Sequence, residues 1–190
     1  MINKGILSFL IFFVFWQFNV CLGEEKQDSN GSFWNKIGNE ISKTWHADGL
    51  DLYIPINTWH NRAMYDKKRT DTYNERPWGI GFGKTRVSEN GNFHQLYIME
   101  FQDSHDKVEP IFGYNFYKNW YFGKNEGFRV GVGFTASITM RHEYHYIPVP
   151  LPLPLFSIGY KWFAIENTYI PGLYNGGNVL FTWARISFKI

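Results

Sequence analysis

Residues 128–141 alternate in polarity without a break, and this pattern constrains the fold more than any other part of the chain. One parity is apolar, and its members are Phe128, Val130, Val132, Phe134, Ala136, Ile138 and Met140. A period of two indicates a β-strand whose two faces have different surroundings. Strands of soluble proteins usually have about 5–6 residues, whereas a tilted membrane-spanning strand needs about 9–11. The segment therefore favours a transmembrane β-barrel, with a long hairpin of a soluble sandwich as the alternative.

The first 23 residues have the organisation of a secretory signal peptide. Lys4 precedes an apolar run over residues 5–16, and Gly23 provides a small residue for cleavage. Polar residues interrupt the run before the roughly 20 apolar positions that a retained membrane helix needs. A lipidated Cys21 is a less favoured alternative. Cleavage after Gly23 removes the only cysteine, so we expect the mature chain to have no disulfide and no thiol nucleophile.

Composition excludes several classes of function. The net charge is only +2 and the basic residues are dispersed, so no nucleic-acid partner is expected. The histidines lack the spacing of a metal site, and no cofactor motif is present. An aromatic content of 20% suits the aromatic girdles of a membrane barrel. We expect a signal peptide (1–23), an N-terminal segment with a helix (24–48) and one barrel domain (49–190), as a monomer or homodimer.

The segment 24–48 contains one candidate amphipathic helix. Its apolar stripe is Trp34, Ile37, Ile41 and Trp45 at helical spacing, and Ser32 is a possible N-cap. Such a helix suits a membrane interface or the wall of a barrel. Packing on a soluble core fits the spacing equally well.

The remainder of the chain predicts eight antiparallel strands. They lie near residues 50–58, 78–87, 93–102, 110–121, 127–141, 146–158, 163–170 and 178–190. An even number closes into a barrel with short turns on one side and longer loops on the other. The connections after odd-numbered strands must then open on the same rim. His60, Asp103, Ser104 and Tyr174 are therefore expected together at one mouth, on the outside of the cell.

Three of these residue types are those of acyl transfer. A histidine supplies a base, a serine supplies an oxygen, and an aspartate can orient one of them. Solvated loop polarity is the alternative from the sequence alone, because only geometry identifies such a site.

Prolines predict local weakness in the barrel wall. Pro55 lies within the first strand, Pro77 opens the second, and Pro171 ends the seventh. A proline removes a hydrogen bond from the ladder. Lateral openings for lipid are one interpretation, and ordinary punctuation of strand ends is the other. Four more prolines of one parity, between residues 148 and 154, predict very little regular pairing there.

A set of motifs resembles one family over essentially the whole mature chain. They include Tyr53-Ile54-Pro55, Thr58-Trp59-His60, Asn74-Glu75-Arg76-Pro77-Trp78-Gly79, Asp103-Ser104 and Tyr169-Ile170-Pro171-Gly172. The pattern is similar to PagP, the lipid A palmitoyltransferases of Gram-negative outer membranes. The resemblance implies an eight-stranded outer-membrane barrel with an N-terminal helix. It also implies transfer of palmitate from the sn-1 position of a glycerophospholipid donor to lipid A of lipopolysaccharide. A non-enzymatic barrel for adhesion or membrane integrity is the alternative.

The resemblance also implies roles for single residues. The catalytic positions fall on His60, Asp103 and Ser104. A lipopolysaccharide-recognition position falls on Arg69, and a phospholipid-gating position falls on Tyr174. Pro55 and Pro77 flank one opening of the wall, and Pro171 lies at the other.

The acyl pocket departs from the family pattern. Asn115 stands where a glycine forms the floor of the pocket, and Phe112 stands nearby where a small residue is usual. Either the pocket takes a chain shorter than palmitate or small residues elsewhere restore its depth. Family weight favours palmitate.

Overall fold

The structure is a computed structural model that describes residues 33–123 and 127–188. The proposed signal peptide, Cys21 and the N-cap Ser32 lie outside the described residues. The strands are β1 (Leu50–His60), β2 (Gly79–Val87), β3 (Phe93–Gln102), β4 (Val108–Phe122), β5 (Phe128–Met140), β6 (Pro148–Tyr160), β7 (Phe163–Ile170) and β8 (Val179–Phe188). The helices are α1 (Phe33–Trp45), the single turn α2 (Lys67–Thr70) and a 3₁₀ turn (His142–Tyr144).

The eight strands form a closed antiparallel barrel, as the alternation predicts. Each strand pairs with its neighbour in the chain, and β1 closes on β8 from Leu50 opposite Phe188 to His60 opposite Val179. Strand ends differ from the prediction by a few residues at most. Among the described residues, no helix is both long and apolar enough to cross a bilayer.

The connections after β1, β3, β5 and β7 open at one end, which we call the loop rim, and the other end is the turn rim. The interior changes in character between them. Near the loop rim the inward side chains are mainly apolar and include Met99, Phe101, Ile111, Phe181 and Trp183. Nearer the turn rim, buried polar groups include Asp51, Gln95, Asn115, Glu166 and Arg185. The interior on the side of the loop rim is thus apolar, and we call it the apolar upper interior. The buried polar residues below it, towards the turn rim, form what we call the polar plug (Asp51, Gln95, Asn115, Glu166 and Arg185).

Among the described residues, two neighbouring strand pairs of the wall, β1–β2 and β6–β7, are joined over only part of their length, and we call the remaining parts the unpaired stretches. β1 pairs with β2 only from Asp51 to Tyr53, although β1 continues to His60. β6 pairs with β7 only from Leu155 to Tyr160. A bulge follows Pro55. Both unpaired stretches lie towards the loop rim.

The proline-rich half of β6 pairs regularly with β5, which differs from the sequence prediction of very little regular pairing. Pro148, Pro150, Pro152 and Pro154 all have partners on β5, within a register that runs unbroken from Met140 to Phe128. Backbone groups of alternate residues point to opposite neighbours. Prolines of one parity therefore remove donors from the ladder with β7 and leave the ladder with β5 intact. The prediction of little regular pairing was wrong for β5.

Helix α1 lies outside the barrel against β2 and β3. Its polar face points to the wall, where Glu40 is 6% exposed and pairs with Arg86 and His94. Its apolar stripe points away, with Trp34 74% and Trp45 67% exposed. The amphipathic helix is thus confirmed. The orientation does not fit packing on a soluble core, and it suits a lipid interface.

Candidate active site

The last residue of β1 and the turn after β3 meet at the loop rim. His60 Nε2 lies 3.1 Å from the Oγ of Ser104. The histidine is 3% exposed, so its ring is almost fully removed from bulk solvent. The sequence prediction that these two residues lie together is met by a hydrogen-bonding distance. An imidazole nitrogen at this distance can accept the proton of the hydroxyl and so activate its oxygen for attack.

Two tyrosines of the β1–β2 loop enclose the histidine ring. The ring centroid of Tyr73 lies 4.6 Å from that of His60, and Tyr65 meets the ring edge-on at 5.2 Å. The Tyr65 hydroxyl is anchored on the carbonyl of Gly177, in the β7–β8 loop. Three connections of the loop rim therefore fix the position of one imidazole.

Asp103, which was predicted to orient either the histidine or the serine, lies beside Ser104 and bonds to the turn that carries it. Its Oδ1 accepts hydrogen bonds from the backbone N–H groups of His105 and Lys107, each at 2.8 Å. These bonds close the turn that carries Ser104. The described geometry thus links the Asp103 carboxylate to its own turn rather than to the imidazole.

The carboxylate that faces the imidazole belongs to Glu75, which the sequence prediction did not single out. Glu75 Oε1 lies 3.0 Å from His60 Nδ1 and also accepts the backbone N–H of His60 at 3.0 Å. Arg62 holds the same carboxylate through two bonds of 2.9 and 2.7 Å. Burial raises the pKa of Glu75, but the bonds from Arg62 and His60 outweigh it, so the pKa lies below its usual value.

The signal for Glu75 was present in the sequence as the Asn74–Gly79 block. Asn74 donates its backbone N–H to the carbonyl of Ser104 and its side-chain amide to Asp106. Thr58 of β1 donates to the carbonyl of Glu75. The block therefore joins the two halves of the site. Spacing of fifteen residues in a loop gave no basis for pairing Glu75 with His60.

The predicted recognition residues form a second group on the same rim. Tyr174 donates its hydroxyl to Asp66 at 2.6 Å, and Arg69 donates to the carbonyl of Asn175 at 3.3 Å. Asp66 and Asn175 bond each other through both side chain and backbone. Hydrogen bonds from Tyr174 and Asn175 lower the pKa of the exposed Asp66 carboxyl. The β1–β2 and β7–β8 loops are thus tied together beside the histidine.

Asn115 and Phe112 lie on opposite faces of β4. Asn115 points inward, is 1% exposed, and donates to Gln95, which in turn donates to Glu166. Phe112 points outward and is 42% exposed. The expectation that Phe112 shortens the interior was wrong, because its parity places it on the outer wall. Asn115 lies at the boundary between the apolar interior and the polar plug.

The prolines of the predicted openings border the unpaired stretches. Pro55 lies in β1 beyond Tyr53, the last residue of β1 that pairs with β2. Pro77 is buried just before β2 begins. Pro171 follows β7 across from the proline-rich half of β6. Over residues 33–123 and 127–188, the side chains include no group of His, Cys, Asp and Glu suited to hold a metal ion.

Comparison with known proteins places this geometry in a family. The family described as "Antimicrobial peptide resistance and lipid A acylation protein PagP" matches residues 40–185. A lipid A acyltransferase PagP of Photorhabdus laumondii is 56% identical over 83% of this chain and 76% of its own length. One from Yersinia enterocolitica is 55% identical over 90% and 84%. The solved Yersinia pestis outer membrane protein Ail aligns at 10% identity with a TM-score of 0.37, too distant to bear on the fold. The chain belongs to the PagP family.

Proposed function

We propose that this protein is an outer-membrane acyltransferase that moves a palmitoyl chain from the sn-1 position of a glycerophospholipid to a hydroxyl of lipid A. The observation that carries the proposal is the 3.1 Å approach of His60 Nε2 to Ser104 Oγ at the mouth of an apolar barrel interior. Family membership supports lipid A as the acceptor, since the relatives are named lipid A acyltransferases.

The proposed chemistry exchanges one ester for another. His60 Nε2 takes the proton of the attacking hydroxyl, the hydroxyl oxygen bonds to the acyl carbon, and the glycerol oxygen leaves with a proton returned by the imidazolium. The attacking hydroxyl is that of Ser104, in a route with an acyl-enzyme, or that of lipid A bound beside it. Asp103 orients Ser104 by closing its turn.

The unpaired stretches of the wall serve as lateral entries in this proposal. A lipid chain that enters sideways avoids passing its headgroup through the barrel. Pro55 and Pro77 border one entry and Pro171 borders the other, and each proline keeps the local ladder from closing. Tyr174 gates access for phospholipid, and Arg69, exposed on α2, offers a cation to the phosphates of lipopolysaccharide.

The acyl chain occupies the apolar upper interior in this proposal and ends at Asn115. An apolar wall over a hydrogen-bonded polar plug measures chain length, because each methylene that reaches the apolar zone contributes about 0.8 kcal/mol. The alternative of a shorter donor chain is tested by competition among phospholipids of graded chain length. An optimum at 14 carbons would replace palmitate in the proposal.

The test of the function is transfer of labelled acyl chain from phospholipid to lipid A by the refolded protein in detergent. We expect activity in the unmodified chain and loss of activity in His60→Phe. A shift in gel migration on heating should show that both proteins are folded. Intact mass after incubation with phospholipid alone reports whether Ser104 carries the acyl group. A fully active His60→Phe variant would refute the assignment of the base.

A further inference from the structure

We propose that Glu75 is the positioning residue of this site, which holds His60 in the tautomer and charge state that transfer requires. The inference rests on the proposed function, since it assigns a role within the same reaction. From the sequence, Asp103 was expected to orient either the base or the hydroxyl, and Glu75 was given no role.

The geometry fixes the imidazole from two directions. One oxygen of Glu75 accepts both the backbone N–H of His60 and, at the same 3.0 Å, its Nδ1. A carboxylate has no proton to donate, so Nδ1 must carry the hydrogen. The unprotonated Nε2 then faces Ser104, 3.1 Å away. The lone pair of the base thus points at the hydroxyl that it must deprotonate.

The charge of Glu75 is secured from the far side. Arg62 binds both of its oxygens, in the bidentate geometry that gives strong charge-assisted bonds. The lowered pKa of Glu75 keeps it ionised at neutral pH. The ionisable groups around the imidazole are Glu75, Arg62, Tyr65, Tyr73 and the more distant His105. Within the described site, Glu75 is the anion in direct contact with the ring.

A fixed anion at Nδ1 matters most when the ring is charged. When Nε2 takes the proton of the attacking hydroxyl, the ring becomes an imidazolium beside the Glu75 carboxylate. The proton on Nδ1 stays there, and the proton on Nε2 passes to the leaving glycerol oxygen. Glu75 neither gains nor loses a proton, so its effect is electrostatic and orientational.

Asp103 is the matched case that has a different role. It is 4% exposed and adjacent in sequence to Ser104, yet its oxygen binds the backbone of the turn. Glu75 is distant in sequence and binds the ring. The carboxylate near the nucleophile therefore shapes the turn, and the carboxylate near the base sets its proton.

The first test is the Glu75→Gln variant, with Glu89→Gln as the control. Glu89 is exposed in the β2–β3 turn, at the opposite rim. We expect Glu75→Gln to lower kcat by roughly 10²–10⁴-fold, the range of a positioned acid–base group, with little change in KM. A glutamine has one acceptor oxygen where glutamate has two, so its amide N–H₂ must face either Arg62 or Nδ1.

The pH profile separates positioning from loss of structure. Removal of the anion disfavours the imidazolium, so the acidic limb of kcat/KM should move to lower pH in Glu75→Gln. A variant that lowered activity only by loosening the loop would keep the limb in place. Glu89→Gln should match the unmodified enzyme in both kcat and profile. Unchanged kcat and an unmoved limb in Glu75→Gln would overturn the proposal.

A second measurement uses the unmodified protein and therefore does not depend on whether a variant folds. Nitrogen chemical shifts of His60 in the unmodified protein, with isotope-labelled histidine, should report the Nδ1–H tautomer near neutral pH. The Nε2–H tautomer would overturn the inference even if the enzyme transfers palmitate. Conversely, the Nδ1–H tautomer in a protein without transferase activity would leave the role of Glu75 as the orienting group standing and refute the proposed function.

Discussion

Replacement of Arg185 by methionine should destabilise the barrel more than any change of similar size on its surface. Arg185 is 1% exposed in the polar plug, and its Nε donates to Glu166 Oε1 at 2.7 Å. Glu166, itself fully buried, also accepts from Gln95 at 3.1 Å and from the indole of Trp183 at 3.0 Å. The substitution leaves these two neutral donors but removes the cation that forms the ion pair with this buried carboxylate.

The magnitude follows from the uncompensated charge. Removal of one partner of a buried ion pair costs about 3–5 kcal/mol, whereas an exposed pair contributes about 0–1 kcal/mol. The Arg185→Met, Glu166→Gln double variant leaves no stranded charge at this pair. It should therefore recover about 1–3 kcal/mol relative to the sum of the single variants. Arg185 also lies 3.5 Å from Asp51, which loses this cation in the double variant too, so we expect the recovery to be partial although Asp51 keeps its bonds from Thr85 and Ser187.

The assay is equilibrium unfolding in urea with the protein in detergent micelles, followed by tryptophan fluorescence and extrapolated linearly to water. Equal slopes for all variants would show that the same surface is exposed on unfolding. Lys67→Met, which breaks an exposed pair with Asp71, is the matched control and should shift stability by less than about 1 kcal/mol. A loss below about 1 kcal/mol in Arg185→Met, or strict additivity in the double variant, would refute the reasoning.

Two further predictions concern the pocket and the rim. Asn115→Gly should move the donor optimum to longer chains, and two more buried methylenes at about 0.8 kcal/mol each correspond to roughly fifteen-fold in relative rate; a shift to shorter chains in competition assays would contradict this. Hydrogen bonds from Tyr174 and Asn175 lower the pKa of Asp66. The hydrogen bond from Tyr174 to the Asp66 carboxylate should therefore be fully present at pH values above the usual carboxyl pKa and be lost as the pH falls through the lowered pKa. The ring signals of Tyr174 in NMR titrations should follow this loss, and in Asp66→Asn they should be independent of pH. A tie that survives complete protonation of Asp66 in the unmodified chain would count against this account.

The fold was largely predictable because its signal is local. Alternation in β5 and its neighbours follows from the side-chain period of a strand, so a short window of sequence suffices to detect it. The alternation of antiparallel strands then determines which connections share a rim, and this placed His60 and Ser104 on the same one. The helix stripe of Trp34 and Trp45 was equally local. These predictions needed no knowledge of which strand contacts which.

The two wrong predictions concern the face of a strand on which a side chain lies and the neighbouring strand to which its backbone groups point. Phe112 was misjudged because its place relative to Asn115 depends on the parity of β4. The prolines of β6 were misjudged because their effect falls on one neighbour only, and pairing with β5 continued. Both outcomes depend on the direction in which an alternating backbone faces.

The sequence by itself determined a barrel and a loop rim that carries both His60 and Ser104, because periodicity and strand parity are properties of neighbouring residues. Only the tertiary structure decided that Glu75, and not Asp103, faces the imidazole. It also decided that Arg185 and Glu166 neutralise each other inside the plug. Such contacts join residues far apart in the chain, and their energies depend on distance, burial and direction, which appear only when the barrel closes.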